Sequence, residues 1–374
     1  MLFTKSYEFN RLASRENSVR LTNRIALAPM TNQQSHDDGV VSEDEIRWLE
    51  ARAKGGFGCL ITCAAHVTVD GQGWPGEMGI FGDHLLPGLS QLSGRLNIFP
   101  TKTLVQLYHG GLRSPKSLTG RIPKAPTSYP VGEGKPDGCE ALTLTEVHQL
   151  RDAFIAAAKR AHEAGFSGVE LHGAHGYLIH QFLDPGFNQR NDAYGGDLEG
   201  RSRFLMEIVK GIRDLLPAEF LVAVRLSPDS YDNDKSVNLV DTVKLVQELA
   251  QLDIDIMHYS LWDFNKTCKD STGKNIRPMD FLLEAHPKGL TSMVAGGFKN
   301  LDDVEEALRS GADLVALGRL AIANPDWPHR VADEPDYKPL EAPYTVAQLR
   351  EASLGEGFIK YMSRWPDFVS DAAH

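Results

Sequence analysis

The sequence predicts an α/β fold, a single (β/α)8 TIM barrel with a long excursion after its third strand, and three observations carry that prediction. Eight short apolar runs end in Gly, Pro, His or Arg. Longer stretches with helical periodicity separate them, so strands alternate with helices along the chain. An open doubly wound sheet would need a Gly-rich dinucleotide turn opening a helix directly after a strand, and no strand candidate is followed by one.

In chain order the strands are expected over Ile25–Met30, Cys59–Ala65, Thr103–Tyr108, Gly168–His172, Leu221–Leu226, Ile254–Ser260, Thr291–Ala295 and Leu314–Leu317. Helices are expected over Ser42–Ala53, Thr145–Ala164, Arg201–Leu215, Val240–Leu252 and Asn300–Ser310, several opening on a Ser, Thr or Asn cap. The segment 110–142 is rich in Pro, Gly, Ser and Lys and too long for an ordinary βα connection, so it reads as a rim excursion or lid. Residues 342–374 read as a short helix and an aromatic-bearing tail on a single domain spanning 1–374.

Composition narrows the function classes. A 374-residue chain with 42% apolar residues and a net charge of −11 can bury a sizeable core but offers no basic surface for nucleic acid or anionic membrane. Its N-terminus lacks a leader-like apolar segment, and no run reaches the roughly 18 apolar residues of a membrane span, so a cytoplasmic protein acting on small molecules is expected. The four cysteines have no Cys-x-x-Cys spacing, so no iron–sulfur or four-cysteine zinc site is expected.

The stretch Leu171-His-Gly-Ala-His-Gly-Tyr177 carries the chemistry. At the carboxyl end of a barrel strand, His172 and His175 can hold one oxygen between them while Tyr177 stands by as a proton donor. A phenol with its ordinary pKa of about 10 stays protonated at neutral pH. The arrangement suits reduction of a double bond beside a carbonyl. A metal pair would need a third ligand that no neighbouring motif supplies, and a pair of structural histidines is the plainer alternative.

Two glycine-bearing loops, Ala295-Gly296-Gly297-Phe298 and Leu317-Gly318-Arg319, follow the seventh and eighth strands, where barrels often bind a phosphate. Tight turns are the alternative. Arg225 lies inside an apolar strand and needs an anionic or strongly polar partner, either a reduced flavin or a barrel carboxylate. Gln106 can hydrogen-bond the pyrimidine edge of a flavin.

Taken together, the chain from about Asn23 to about Pro328 resembles the old yellow enzyme family of FMN-dependent ene-reductases. The residues carrying the likeness are Asn23-Arg-Ile-Ala-Leu-Ala-Pro-Met-Thr31, Gln106, His172-Gly-Ala-His-Gly-Tyr-Leu178, Asn188-Gln-Arg-Asn-Asp-Ala-Tyr-Gly-Gly196, Arg225, Ala295-Gly-Gly297 and Leu317-Gly-Arg319. The resemblance implies that Ala28, Pro29, Met30 and Thr31 line FMN, that Ala64 and Gln106 contact its ring, and that Arg225 lies near N1. It implies a phosphate site at Gly296, Gly297, Gly318 and Arg319. It also implies that His172 and His175 bind an enone or enal oxygen, that Tyr177 gives the proton, and that NADH or NADPH reloads the flavin in the same pocket. Many relatives form dimers or tetramers. Thr31 stands where one branch has Cys, Gln33 where that branch has a substrate-contacting Tyr, and Gly200 where Asn is usual. An NAD(P)H:quinone-type reductase, a non-redox phosphate-binding lyase or isomerase, and a flavin store without turnover stay open as alternatives.

Overall fold

The structure is a computed structural model and describes residues 1–12, 18–132, 135–228, 238–269 and 273–370. Among these residues a nine-stranded parallel sheet carries a closed ring of eight: β1 (Ile25–Leu27), β2 (Cys59–His66), β3 (Lys102–Tyr108), β4 (Gly168–Gly173), β5 (Leu221–Leu226), β6 (Ile256–Ser260), β7 (Thr291–Ala295) and β8 (Leu314–Leu317). Each pairs in parallel with the next, and β8 returns to β1. The ninth strand, Met78–Gly79, hangs on β2. The helices that follow the strands are α1 (Glu43–Lys54), α2 (Leu86–Leu96), α3 (Leu144–Glu163), α4 (Leu198–Leu215), α5 (Leu239–Leu249), α6 (Pro278–Glu284), α7 (Leu301–Arg309) and α8 (Arg319–Ala323).

Hydrogen-bonding side chains set where several helices begin. The Ser42 hydroxyl accepts from Glu45 N at the start of α1, and Thr143 with Glu146 forms a reciprocal capping box on α3. β1 stops at Leu27, short of the expected Met30, because the chain beyond it leaves the ladder; Ala28 N still donates to Leu317 O at 2.9 Å. α2, α6 and α8 are absent from the helices expected above.

Alternation along the strands sorts the barrel interior by height. Ala26, Cys59, Leu104, Leu221, Ile256, Met293 and Leu314 meet in one buried apolar cluster with Tyr7, Phe9, Leu12 and Leu21 of the N-terminal segment. That segment forms a small antiparallel pair, Tyr7–Glu8 with Arg20–Leu21, which packs beneath the strands. Further along the strands the inward positions carry Gln106 (two residues after Leu104 on β3), Glu170 on β4, Arg225 (four after Leu221 on β5) and His258 (two after Ile256 on β6), all buried. A bulge in β2 adjusts the pattern: Ile61 pairs with Leu104 but Ala64 with Gln106, so both Ile61 and Ala64 face inward.

The excursion after β3 is tied down. Arg190 Nη1 donates to Pro126 O and Leu142 O at 3.1 and 2.6 Å, and Tyr129 Oη donates to Phe187 O at 2.9 Å. The C-terminal segment holds two short helices, Val346–Glu351 and Glu356–Met362, and Phe358 meets Trp48 of α1 edge-on at 4.9 Å. Buried Arg52 joins these parts, donating to Ile322 O at 2.6 Å, Ala321 O at 3.0 Å and Ala352 O at 2.7 Å. Its guanidinium also stacks on Trp48. No described helix is long and apolar enough to cross a membrane.

Replacing Arg52 with Met keeps the bulk but orphans these carbonyls, and urea unfolding should show a loss of about 3 kcal/mol. A loss below about 1 kcal/mol would mean that water satisfies them.

Candidate active site

The strands end in a pocket of about 190 Å³ at the carboxyl face of the barrel. Pro29, Met30, Thr31, Ala64, Gln106 and Arg225 line it together with His172, His175 and Tyr177. The structure thus brings nine of the expected residues into one cavity. It adds Trp74, which the sequence reading missed: nothing in its spacing sets it apart, and it arrives through the loop after β2. That loop contains Gly71-Gln-Gly-Trp-Pro-Gly76, the glycine spacing of a dinucleotide turn. It opens no helix, and the Gly73 and Gly71 backbones lie against Tyr108 and His109.

A buried polar layer forms the floor. The Glu170 carboxylate accepts from Gln106 Nε2 at 2.8 Å and from His258 Nδ1 at 2.6 Å. Burial opposes its charge, but His258, Arg225 and Gln106 outweigh it and hold the carboxyl below its ordinary range. Arg225 Nη2 donates to Ser260 Oγ at 3.0 Å, while its buried Nε has no partner among the described residues. Glu170 thus acts on Arg225 through its field, and one donor of the guanidinium is left over.

The two histidines rise from the end of β4. His175 (φ 60°) and Gly176 (φ 73°) are both left-handed, which curls the chain back so that the His172 and His175 rings lie 5.0 Å apart, nearly perpendicular. His172 Nδ1 accepts from Ala174 N at 3.3 Å, which places the ring proton on Nε2. Burial first, then His175 and Arg225, hold His172 well below its ordinary pKa. His175 is open at the pocket mouth, yet protein packed around its ring and the positive Arg225 depress it too. Its Nε2 meets Ser260 Oγ at 2.8 Å.

Tyr177 stands 5.0 Å from His172 and 4.6 Å from Tyr108, ring to ring. Burial raises its pKa, while the Arg113 guanidinium over its ring, at 4.6 Å, opposes the rise. Arg113 comes from the start of the excursion and also donates to His175 O at 2.6 Å. Gln181 clamps the same turn, accepting from Leu112 N and donating to Gly176 O.

The remaining expected residues adjoin the pocket without lining it. A Cβ on Gly318 would lie 3.6 Å from Met30 Sδ and 4.0 Å from Ala28 Cβ, and one on Gly297 (φ 71°) 3.8 Å from Arg319. Gly318 therefore adjoins the pocket at Met30, and Gly297 lies beside the exposed Arg319. Gly296 is turned away, packed so closely on Phe264 that a Cβ would meet its nitrogen at 2.9 Å. Gln33 lies outside the lining. At Gly200 a Cβ would sit 2.0 Å from Gly195 O, so this backbone has no room for the usual Asn.

A barrel with this floor and mouth is that of a flavin oxidoreductase. Residues 16–336 match the model of the NADH:flavin oxidoreductase / NADH oxidase family, and the chain belongs to it, which makes it a nicotinamide-dependent FMN enzyme. It is 36% identical to the probable NADH-dependent flavin oxidoreductase YqiG of Bacillus subtilis (strain 168) over 85% of this chain and 86% of that protein. It is 32% identical to the NADH:fumarate oxidoreductase of Klebsiella pneumoniae (strain 342) over 93% of this chain, but spans only 39% of that longer protein. Other relatives carry the name NADPH dehydrogenase. The solved structure of the old yellow enzyme homologue from Zymomonas mobilis superposes with a TM-score of 0.79 at 26% identity, covering 96% of this chain and 99% of that one.

The buried histidines set an acid dependence. His172 and His258 stay neutral in the fold, whereas unfolded imidazoles take up protons below about pH 6.5. Unfolding free energy should fall as pH drops from 7.5 towards 5, because the depressed His66, His109, His172, His175, His258 and His286 outnumber Glu45 and Glu77, whose raised carboxyls act in the opposite sense, and Glu170 extends the fall where its carboxyl protonates. Urea midpoints independent of pH over that range would contradict it.

Proposed function

We propose that the enzyme reduces the activated C=C bond of α,β-unsaturated carbonyl compounds, with NADH or NADPH as reductant in a ping-pong cycle. One observation carries the reading: two neutral imidazoles 5.0 Å apart, with a phenol 5.0 Å from His172, stand at the mouth of a pocket whose floor presents Gln106 and Arg225. A relative named for fumarate, an alkene conjugated to carboxyl groups, supports the substrate class.

The residues present fit FMN. Arg225 Nε is a buried cationic donor without a partner among the described residues, matched to the electron-rich N1 and O2 edge of a reduced flavin, and Gln106 lines the same floor. Pro29, Met30, Thr31 and Ala64 offer apolar and backbone surface for the ring, with Ala28 behind Met30. Gly297, Gly318 and Arg319 would take the phosphate, with Gly296 as the close-packed turn that sets Gly297. FMN, when bound, accepts hydride from the nicotinamide and supplies it to the alkene.

The chain's own groups do the rest. His172 Nε2–H donates to the substrate oxygen. Ser260 Oγ accepts from Arg225, so its proton is free for His175 Nε2, leaving His175 Nδ1–H as the second donor. Two donors on one oxygen draw charge from the alkene and lower the barrel's cost of enolate formation. Tyr177 then gives its proton to the α-carbon. Arg113, set between the rim excursion and this turn, fixes Tyr177 and the His175 backbone, so the excursion and barrel act as one unit in this reading.

Tyr177→Phe should slow oxidation of the reduced enzyme by 2-cyclohexenone by roughly 100-fold while leaving flavin reduction by NADPH or NADH within about twofold, in anaerobic stopped-flow absorbance. Equal losses in both half-reactions would remove Tyr177 from the donor role. Arg225→Met should weaken FMN binding, read by fluorescence titration; unchanged affinity would place the cofactor elsewhere.

A further inference from the structure

Behind Tyr177 lies a group of buried polar atoms that the proposed reaction does not use. Glu77 is fully buried in the loop after β2. Its Oε2 accepts from Gly73 N at 2.6 Å, but Oε1 has no partner among the described residues. The Tyr108 hydroxyl, at the end of β3, is also buried, with no hydrogen-bond partner among the described residues. It lies against the Gly73 backbone, 2.2 Å from where a Cβ would stand, so Glu77 and Tyr108 converge on the same residue. On its other side the Tyr108 ring meets Tyr177 edge-on at 4.6 Å. Each group therefore neighbours the next in the order Glu77, Tyr108, Tyr177.

We infer that Glu77 is a proton reserve for Tyr177, delivered through Tyr108. The inference rests on Tyr177 being the proton donor. As the Tyr177 O–H bond breaks towards the substrate α-carbon, Tyr108 passes its proton to Tyr177 oxygen and Glu77 passes its own to Tyr108. The negative charge thus ends on a carboxylate rather than on a buried phenolate, and solvent later reprotonates Glu77 beside the half-exposed Gly73 and Trp74. With substrate over its open face, Tyr177 can be resupplied only from behind.

The charges around the chain favour this direction. Burial lifts the Glu77 carboxyl well above its ordinary range, against the Gly73 and Trp74 N–H groups, so it keeps its proton. Burial, with Glu77 and Tyr177 next, lifts Tyr108. The other titratable groups facing the chain are Cys63 of β2, held protonated by burial and by Glu45 and Glu77; Arg113, which faces both tyrosines; Tyr361, which raises Tyr177; and His172, kept neutral by burial, whose ring lies 5.0 Å from that of Tyr177. Outside a fold a carboxylic acid is a far stronger acid than a phenol, and burial raises all three groups alike, so the proton's path runs from Glu77 through Tyr108 to Tyr177.

The test uses FMN-loaded enzyme in anaerobic stopped flow with 2-cyclohexenone. Glu77→Gln preserves the acceptor for Gly73 N–H but carries no acidic proton. It should slow the enone step at least about tenfold and erase that step's alkaline decline, which in the wild type follows loss of the Glu77 proton. Flavin reduction by the nicotinamide and FMN affinity should stay within about twofold. Tyr108→Phe should match it, and the double variant should be no slower than either single one. Infrared difference spectra at pH 8.5, above the value of about 7 to which Glu45 is raised by burial, should show a neutral carboxylic acid in the wild type that Glu77→Gln lacks. An unchanged enone step in Glu77→Gln, equal slowing of both half-reactions, additive losses in the double variant, or no such infrared band would overturn the inference. If Tyr177→Phe slows the enone step and Glu77→Gln does not, the reserve fails and the donor assignment stands; if Tyr177→Phe leaves that step unchanged, the donor assignment itself fails.

Discussion

A carboxylate in the barrel core, Glu170, is the charge on which the floor of the site depends. It takes hydrogen bonds from Gln106 and His258 and lies within the field of Arg225. Burying a guanidinium without an anion nearby would cost several kcal/mol, so Glu170 is what permits Arg225 to stand inside the strands with one donor to spare. Gln106, tethered to Glu170, is oriented by the same contact. The floor is thus one coupled unit, and its polarity at the top of an otherwise apolar interior follows from successive inward positions on β3, β4, β5 and β6.

The same chain of contacts reaches the mouth. Arg225 donates to Ser260, and Ser260 meets His175, so the orientation of the outer imidazole is linked to the cation on the floor. His172 is set independently by the Ala174 amide. Their approach to one another depends on two consecutive left-handed residues, which the Gln181 and Arg113 contacts hold in place from outside the turn. Backbone strain at His175 is therefore supported by neighbours from the rim, and the segment read in the sequence as a rim excursion or lid supplies one of them, Arg113.

Much of this was legible beforehand. The eight strands fall where apolar runs and their punctuation place them, because a parallel barrel strand is buried on both faces and reads as a continuous apolar run. The histidines, Tyr177, Gln106 and Arg225 were legible as polar residues at strand ends or within apolar strands. Less was visible in the loops. Trp74 and Arg113 reach the pocket region from segments without periodicity, and Gly296 was read with Gly297 although its own Cβ position is filled by Phe264. The C-terminal segment could be read only as a helix and tail, whereas its two helices pack on α1 and against Arg52.

The sequence by itself determined the barrel, its order of strands and the residue types at its carboxyl end, since those follow from local alternation and burial. The tertiary structure decided which loops close on that end, which tautomer each histidine holds, and that Glu77, Tyr108 and Tyr177 stand in a row. Contacts of that kind join residues tens to hundreds of positions apart through burial and directional hydrogen bonds, and no short-range pattern in the chain encodes them.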